Sequence, residues 1–184
     1  MYATNDLRDE HEGIRIALAV LEHLAEQLQA GQQVSVDDLE QIVDFLRTFA
    51  DRCHHGKEED LLFPALKAAG VPVEGGPIGV MLADHDRGRE YIAAMSDALP
   101  GVRERSPAAA QAFSDAAVRY ARHLSSHIEK ENMVLFVMAE QRLSPEQHEE
   151  LSKGFEKIEQ ERIGPGVHER YHELLHRLRD TYLA

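Results

Sequence analysis

The chain has 184 residues, 43% of them hydrophobic, and a formal net charge of −13, so it can build one domain with a sizeable core, while its acidic balance argues against a nucleic-acid-binding surface. No apolar run is long enough to span a membrane, and the first residues are too polar and acidic for a signal peptide. The single cysteine, Cys53, excludes an internal disulfide and fits a reducing compartment, so we expect a cytoplasmic protein.

The first predicted helix extends from about Asp6 to Ala30 and ends at Gly31. Apolar positions recur on it in alternating steps of four and three, which is the pattern of a heptad seam. The seam consists of Leu7, His11, Ile14, Leu18, Leu21, Ala25 and Leu28. One histidine, His11, therefore occupies a position that should face the interior.

The second predicted helix extends from Ser35, a favoured N-cap residue, to about Ala69. Its apolar stripe includes two polar residues one helical turn apart, His54 and Glu58. Pro64 should disturb the backbone hydrogen bonds about one turn earlier.

The third predicted helix begins near Pro77 and ends at Pro100-Gly101, with His85 on its apolar stripe. The fourth opens at Ser106-Pro107. Its seam holds a histidine and a glutamate at the spacing seen in the second helix, His127 and Glu131.

Two shorter helices follow. The sequence Ser-Pro-Glu-Gln from Ser144 has the form of a capping box and predicts a helix to about Arg162, and the last helix covers residues 167–182. Four long amphipathic helices with short connections fold most simply as an up-down-up-down bundle. We therefore predict an all-α protein: a four-helix bundle over residues 1–142 and a two-helix C-terminal extension, residues 143–184, packed on it.

The polar residues on the four seams should meet at one depth. Two of the histidines lie early in their helices and two lie late, and neighbouring helices of such a bundle run antiparallel. All four imidazoles should therefore come together at the same end, with the two glutamates beside them. The candidate metal ligands are His11, His54, Glu58, His85, His127 and Glu131.

This set of side chains favours a site for two metal ions. Buried histidine or glutamate is costly unless it is hydrogen-bonded, paired or bound to metal. Four imidazoles and two carboxylates are too many for one structural ion, whereas two ions bridged by the carboxylates would use them all. Imidazole with carboxylate suits iron first, then manganese or zinc. The alternative is a bundle with hydrogen-bonded core histidines, in which the glutamates would also need partners.

The residues just described resemble the hemerythrin-like, HHE cation-binding domain over roughly residues 5–140. The motif Cys-His-His-Gly-Lys-Glu-Glu-Asp-Leu-Leu-Phe-Pro at residues 53–64 carries the resemblance, together with the other ligands of the set. The resemblance implies a non-haem di-iron centre in which Glu58 and Glu131 bridge the ions. It implies further that the ions are divided between two histidine pairs, His11 with His54 and His85 with His127.

One departure from the oxygen-carrying hemerythrins bears on function. Those proteins have a fifth histidine one turn after the third-helix ligand, where this chain has Arg89. The ligand set is therefore closer to the di-iron domain of bacterial iron-centre repair proteins, whose cysteine-bearing N-terminal domain has no counterpart here. Reversible oxygen carriage becomes the less favoured function.

Three further features have two interpretations each. His55 and Glu59 lie about 100° round the helix from the ligand pair, so we assign them supporting or surface roles. Gly88 either leaves room for a small ligand or allows close helix packing. The row His168, His172 and His176 is either a second metal site or a solvated flank, and we favour the flank.

The expected function is a non-haem di-iron protein that binds or senses O2, NO or peroxide, or that handles iron. The alternatives are a redox enzyme that consumes peroxide or NO at the same centre, and a reversible oxygen carrier. The expected partners are a small diatomic ligand or peroxide, with a partner protein or a second copy of the chain as further candidates.

Overall fold

The computed structural model describes residues 2–183 and is all-α, as the sequence predicts. Residues 2–183 form six helical rods, two of which contain wider π-helical turns. The first rod is α1 (Thr4–Gln29), and the second rod consists of α2 (Val36–Phe45), π1 (Leu46–His55), π2 (Glu58–Leu62) and α3 (Phe63–Ala68). The third rod is α4 (Pro77–Arg103), and the fourth rod consists of α5 (Pro107–Lys130), π3 (Glu131–Leu135) and α6 (Phe136–Arg142). The last two rods are α7 (Pro145–Arg162) and α8 (Val167–Tyr182). Within residues 2–183, none of these helices is long and apolar enough to cross a membrane.

Three of the rods have a serine as their N-cap residue. The hydroxyls of Ser35, Ser106 and Ser144 each accept a hydrogen bond from the backbone N–H three residues on, at 3.2–3.3 Å. Gln147 returns a hydrogen bond to the backbone N–H of Ser144 at 2.9 Å, which completes the predicted capping box. Each cap satisfies a backbone N–H that has no partner within its own helix.

The π-helical turns lie where the candidate ligands lie. π1 ends at His55, and π2 and π3 begin at Glu58 and Glu131. Pro64 follows π2 in the first turn of α3, so the predicted disturbance before this proline is present as a wide turn. Such turns are rare and are frequently found at functional sites.

The predicted end of the third helix was wrong. Pro100 lies inside α4, which continues to Arg103. A proline removes one backbone hydrogen bond but leaves its own carbonyl free to accept, and Pro100 O accepts from the N–H of Glu104 at 3.1 Å.

Two apolar clusters of the four-rod bundle enclose a polar layer. On α1 the apolar residues Leu7 and Ile14 belong to different clusters, with His11 between them. The same order holds on α4, where Met81 and Ile92 belong to different clusters. The bundle therefore places a thin polar layer inside an otherwise apolar core.

The last two helices pack on the outside of this bundle. α8 lies against α1, where a Cβ added at Gly13 would come within 3.5 Å of Leu175 Cδ1. α7 lies against the second rod, and a Cβ added at Gly154 would come within 2.7 Å of Leu61 Cδ1. Gly154 makes room for the Leu61 side chain, whereas the distance at Gly13 is an ordinary van der Waals contact that a Cβ would also fit.

Candidate metal centre

The structure brings all six predicted ligands together in the polar layer. We call this set the polar cluster, and each of its side chains is at most 1% exposed. One histidine comes from each of the four rods of the bundle, and the second and fourth rods each add a glutamate. The polar cluster consists of His11, His54, Glu58, His85, His127 and Glu131.

The four histidines form two pairs whose Nε2 atoms face each other. The Nε2–Nε2 distance is 3.0 Å between His11 and His54 and 3.2 Å between His85 and His127. Two imidazoles at right angles on one ion, each about 2.1 Å from it, would have their nitrogens about 3.0 Å apart. The spacing of each pair is therefore that of two ligands of a common ion.

Acceptors on the far side of each ring fix which nitrogen faces the interior. The Nδ1 of His54 and the Nδ1 of His85 each lie 2.7 Å from a carboxylate oxygen, of Glu10 and Glu59 respectively. A ring that donates its Nδ1–H to a carboxylate keeps its Nε2 lone pair free for a metal.

Of the other two histidines, one faces a carboxylate and one faces a neutral amide oxygen. The Nδ1 of His127 lies 3.3 Å from Asp84 Oδ2, and the Nδ1 of His11 lies 3.1 Å from the amide oxygen of Asn132. All four rings therefore turn their Nε2 atoms inward.

Each glutamate reaches one histidine of each pair. Glu131 lies 3.1 Å from His11 Nε2 and 3.0 Å from His127 Nε2. Glu58 lies 3.3 Å from His85 Nε2 and 3.8 Å from His54 Nε2. Among the described residues, none of the four carboxylate oxygens has a well-formed hydrogen bond, although all four are buried. Buried oxygens without donors are expected where cations bind.

Burial and neighbouring charges shift the pKa values of several groups in the polar cluster. Burial and the facing carboxylate of Glu131 raise the pKa of Glu58 well above its usual range. Burial would lower the pKa of His127, but Glu131 and Asp84 outweigh it and raise that pKa to about 9. Burial lowers the pKa of His54 to about 4. Metal ions entering the site would therefore displace protons from it.

Cations on the outer side hold the carboxylate acceptors in their charged form. Lys57 contacts Glu10, and burial, which would raise the pKa of Glu10, is outweighed by His54 and Lys57, so that this pKa falls to about 2. Arg89 Nη2 lies 2.6 Å from Glu59 Oε1. Arg89, which stands where oxygen-carrying hemerythrins have a fifth histidine, thus forms an ion pair with a carboxylate.

His55 lies beside the polar cluster, which agrees with the supporting role and not with the surface role among the two that the sequence left open. It is 3% exposed, and its ring stacks on His85 with centroids 3.8 Å apart and an angle of 12°. It lies close enough to Glu58, His85 and His127 to share an ion with them. However, imidazole binds metal in its ring plane, so a ring stacked in parallel on His85 cannot bind the same ion without turning. His55 forms a wall of the site in this orientation.

The wide turns of π1 explain why His55 is buried rather than exposed at the surface. A π turn contains more residues than the 3.6 of an α-helix, so adjacent side chains diverge less and His54 and His55 both face inward. Glu59 likewise has the predicted supporting role beside His85. The acceptors Glu10, Asp84 and Asn132 were missed, although each stands next to a predicted ligand in the sequence.

The other predicted features lie away from the polar cluster. His168 is half-buried and its ring lies 4.5 Å from that of His172, which is exposed. They border a cavity of about 330 Å³ between α1, the second rod and the last two helices. This row does not form a metal-binding group with other side chains within residues 2–183.

Comparison with known proteins gives a family and a few distant relatives. The sequence profile of the Hemerythrin HHE cation binding domain matches residues 2–139. Uncharacterized proteins of Mycobacterium bovis and of two strains of Mycobacterium tuberculosis are each 25% identical to the chain over 162 residues. The match covers 88% of this chain and 63% of each relative, so the chain spans less than two thirds of their length. No solved structure matches the chain.

Proposed function

Because the chain belongs to the family of hemerythrin HHE cation-binding domains, we propose that the polar cluster holds two non-haem iron ions bridged by two carboxylates. His11 and His54 would hold one ion, His85 and His127 the other, and both glutamates of the cluster would bridge them. The observation that carries this proposal is the pair of facing Nε2 atoms on each side of four buried carboxylate oxygens without hydrogen-bond donors.

Iron is proposed because of the donor set. Imidazole and carboxylate together suit iron, with manganese and zinc as alternatives, and a thiolate ligand for a softer metal is missing from the polar cluster. The one cysteine, Cys53, is buried, and burial raises the pKa of its thiol to about 12. Bound iron would supply reversible redox change and an open position for a small ligand.

The chain's own residues orient and shield the site. The Nδ1 acceptors hold each ring in place, and aromatic rings cover two of the histidines. Phe136 stacks on His11 with centroids 5.5 Å apart, and Phe63 stacks on His85 at 5.7 Å. Both rings belong to the apolar cluster that also contains Leu7 and Met81, so they cover the polar layer from that side.

We propose that the protein binds or senses O2, NO or peroxide, or handles iron, through this centre. Reversible oxygen carriage is less favoured, since Arg89 is bound to Asp51 and Glu59 at the position where oxygen carriers have a histidine. Residues 143–184 would serve as an accessory extension of the same unit and as a surface for a partner protein or a second copy.

A redox enzyme acting on peroxide or NO is the second candidate, and one observation favours it. The ring of His55 is buried and stacks on His85, and its Nδ1 lies 3.5 Å from Asp51 Oδ1, too far for a well-formed hydrogen bond. A buried neutral imidazole next to the proposed iron centre could donate a hydrogen bond or a proton to a small ligand bound there.

Elemental analysis of iron-loaded protein tests the proposal. We expect two irons per chain in the wild type, loss of iron in His54→Ala and Glu58→Ala, and full retention in the control His168→Ala. Wild-type iron content in Glu58→Ala would overturn the proposed site.

Absorption spectra recorded with O2, NO and H2O2 separate the candidate functions. Sustained consumption of peroxide or NO indicates an enzyme, whereas a stoichiometric spectral change indicates a binder or sensor.

A further inference from the structure

The polar cluster is built from two halves that repeat each other. α1 with the second rod forms one half, and α4 with the fourth rod forms the other. In each half the first histidine directly follows an acidic residue, as Glu10-His11 and Asp84-His85. That acidic residue accepts the Nδ1–H of the second histidine of its own half, so His54 donates to Glu10 and His127 to Asp84.

The repeat extends to the cations beside these acids. Lys57 and Lys130 each stand three residues after the second histidine of their half. Lys57 contacts Glu10, and Lys130 contacts Asp84. His54 and His127 therefore have the same surroundings: each donates its Nδ1–H to a carboxylate, and that carboxylate is paired with a lysine ammonium group.

The symmetry fails at the residue that follows each bridging glutamate. In the first half this residue is Glu59, whose carboxylate lies 2.7 Å from the Nδ1 of His85. In the second half it is Asn132, whose amide oxygen lies 3.1 Å from the Nδ1 of His11. One histidine of the polar cluster thus donates to a neutral amide while the other three donate to carboxylates.

This difference affects the two metal positions unequally. A carboxylate that accepts the second N–H of an imidazole makes the ring a more basic ligand, and losing such a partner typically weakens metal binding 10- to 100-fold. The pair His85–His127 has two carboxylate acceptors, whereas the pair His11–His54 has one. Arg89 also pairs with the Glu59 carboxylate and reduces its effect on the basicity of His85. The carboxylate nevertheless remains an anion, whereas the amide of Asn132 is neutral.

We propose that Asn132 makes the two metal positions unequal, so that the ion held by His11 and His54 exchanges readily while the ion held by His85 and His127 is retained. This inference rests on the proposed function, that the polar cluster holds two ions. A labile ion beside a retained one suits a protein that gains or gives up one iron while the other keeps the bundle intact.

Chelator challenge of the full-length protein tests this inference. Protein loaded anaerobically with two Fe2+ per chain is mixed with excess ferrozine, and native mass spectrometry follows the two-, one- and zero-iron species. We expect the wild type to accumulate the one-iron species, with the two ions leaving at rates up to about 10-fold apart, because His11 keeps a neutral acceptor rather than losing its partner. Asn132→Asp should slow the fast phase, and Glu59→Gln should accelerate the slow phase.

Two surface variants serve as controls for the change of charge. Asn5→Asp adds a carboxylate, and Glu12→Gln removes one, on exposed positions of α1 that do not contact the polar cluster. Both should release iron as the wild type does. Single-site proteins made with His11→Ala and His127→Ala identify the phases, because the ion left in His127→Ala should be the weakly held one.

The outcomes separate the inference from the proposed function. Wild-type protein that binds at most one iron would overturn both. Two irons lost in a single phase, or phases that respond to neither Asn132→Asp nor Glu59→Gln, would overturn the inequality and leave the two-iron site standing. Should Asn132→Asp fail to fold, Glu59→Gln and the two single-site proteins still decide the question.

Discussion

Lys57 joins Glu159 across the boundary between the bundle and the C-terminal helices, with Nζ and Oε2 3.2 Å apart. The lysine is 2% exposed and also contacts Glu10, the acceptor of His54. Helix α7, which lies beyond the matched family domain, therefore contributes a charge that is three contacts away from the polar cluster, through Lys57 and Glu10.

The two partners of this ion pair should differ strongly in their effect on stability. Lys57→Met leaves Glu10 as a buried carboxylate without its cation, which should cost about 3–5 kcal/mol. Glu159→Gln leaves Lys57 paired with Glu10, and since Glu159 is partly exposed the loss should stay below about 1 kcal/mol. Urea unfolding of metal-free protein measures both, with Glu156→Gln as an exposed control on the same helix. Equal losses in Lys57→Met and Glu159→Gln would contradict this account.

Glu58→Gln should have opposite effects with and without metal. In the metal-free protein it replaces one of two facing buried carboxylates with an amide that can donate to Glu131, so the free energy of unfolding should rise by about 1–3 kcal/mol. The same change removes a bridging ligand, so added iron should no longer stabilise the protein. Thermal unfolding of wild type and variant, each with and without Fe2+, checks the pair of effects. A variant that is destabilised in the metal-free form would refute the prediction.

Gly88→Ala should stabilise the protein. A Cβ at this position would lie 3.6 Å from Tyr120 Cε2, an ordinary contact, and alanine is about 1 kcal/mol more favourable than glycine within a helix. Urea unfolding should show a gain of that order, and the iron content should stay unchanged. If Gly88 instead leaves room for a small ligand, the variant will keep its iron but bind NO more weakly.

Docking of the last helix should weaken in acid through Asp38. Burial would raise the pKa of this carboxyl, but hydrogen bonds from Tyr182, at 2.5 Å, and Arg177, at 2.8 Å, outweigh it and lower the pKa. A depressed folded-state pKa contributes stability that is present above the ordinary aspartate pKa and is lost as the pH falls through the folded value.

Hydrogen exchange of α8 measured at several pH values tests this effect. Protection of α8 should fall as the pH drops below about 4 in the wild type, and Asp38→Asn should show lower protection at neutral pH with a smaller change on acidification. Asp97→Asn, an exposed position on α4, serves as the control. The same acid response in Asp38→Asn as in the wild type would exclude this carboxylate as its cause.

The four-helix bundle and its polar layer could be predicted from the sequence because both depend on the regular spacing of apolar positions along each helix. A seam of period 3.5 predicts which face of a helix is buried, and His11 and His127 lie on such seams. The sequence could not decide between a supporting and a surface role for His55, because the helical period changes there. His55 faces inward because π1 is wider than an α-helix, and nothing in the local composition of residues 46–55 specifies that widening.

The acceptors of the Nδ1 atoms were missed for a different reason. Asn132 and Asp84 contact histidines on other helices, so their roles depend on tertiary packing rather than on spacing within one helix. The repeat of Glu10-His11 as Asp84-His85 was visible in the sequence. Its meaning depends on knowing that the two halves of the bundle face each other.

The wide turns also bear on how such a centre can change between generations. A π turn holds one residue more than an α turn between the same ends, so a single inserted codon can be absorbed as a π turn while the rest of the helix keeps its orientation. An insertion absorbed within residues 46–55 would leave the apolar seam on either side of π1 in place, and it would turn His54 and His55 inward together. A lineage could in this way alter the lining of the site in one step and keep a stable bundle.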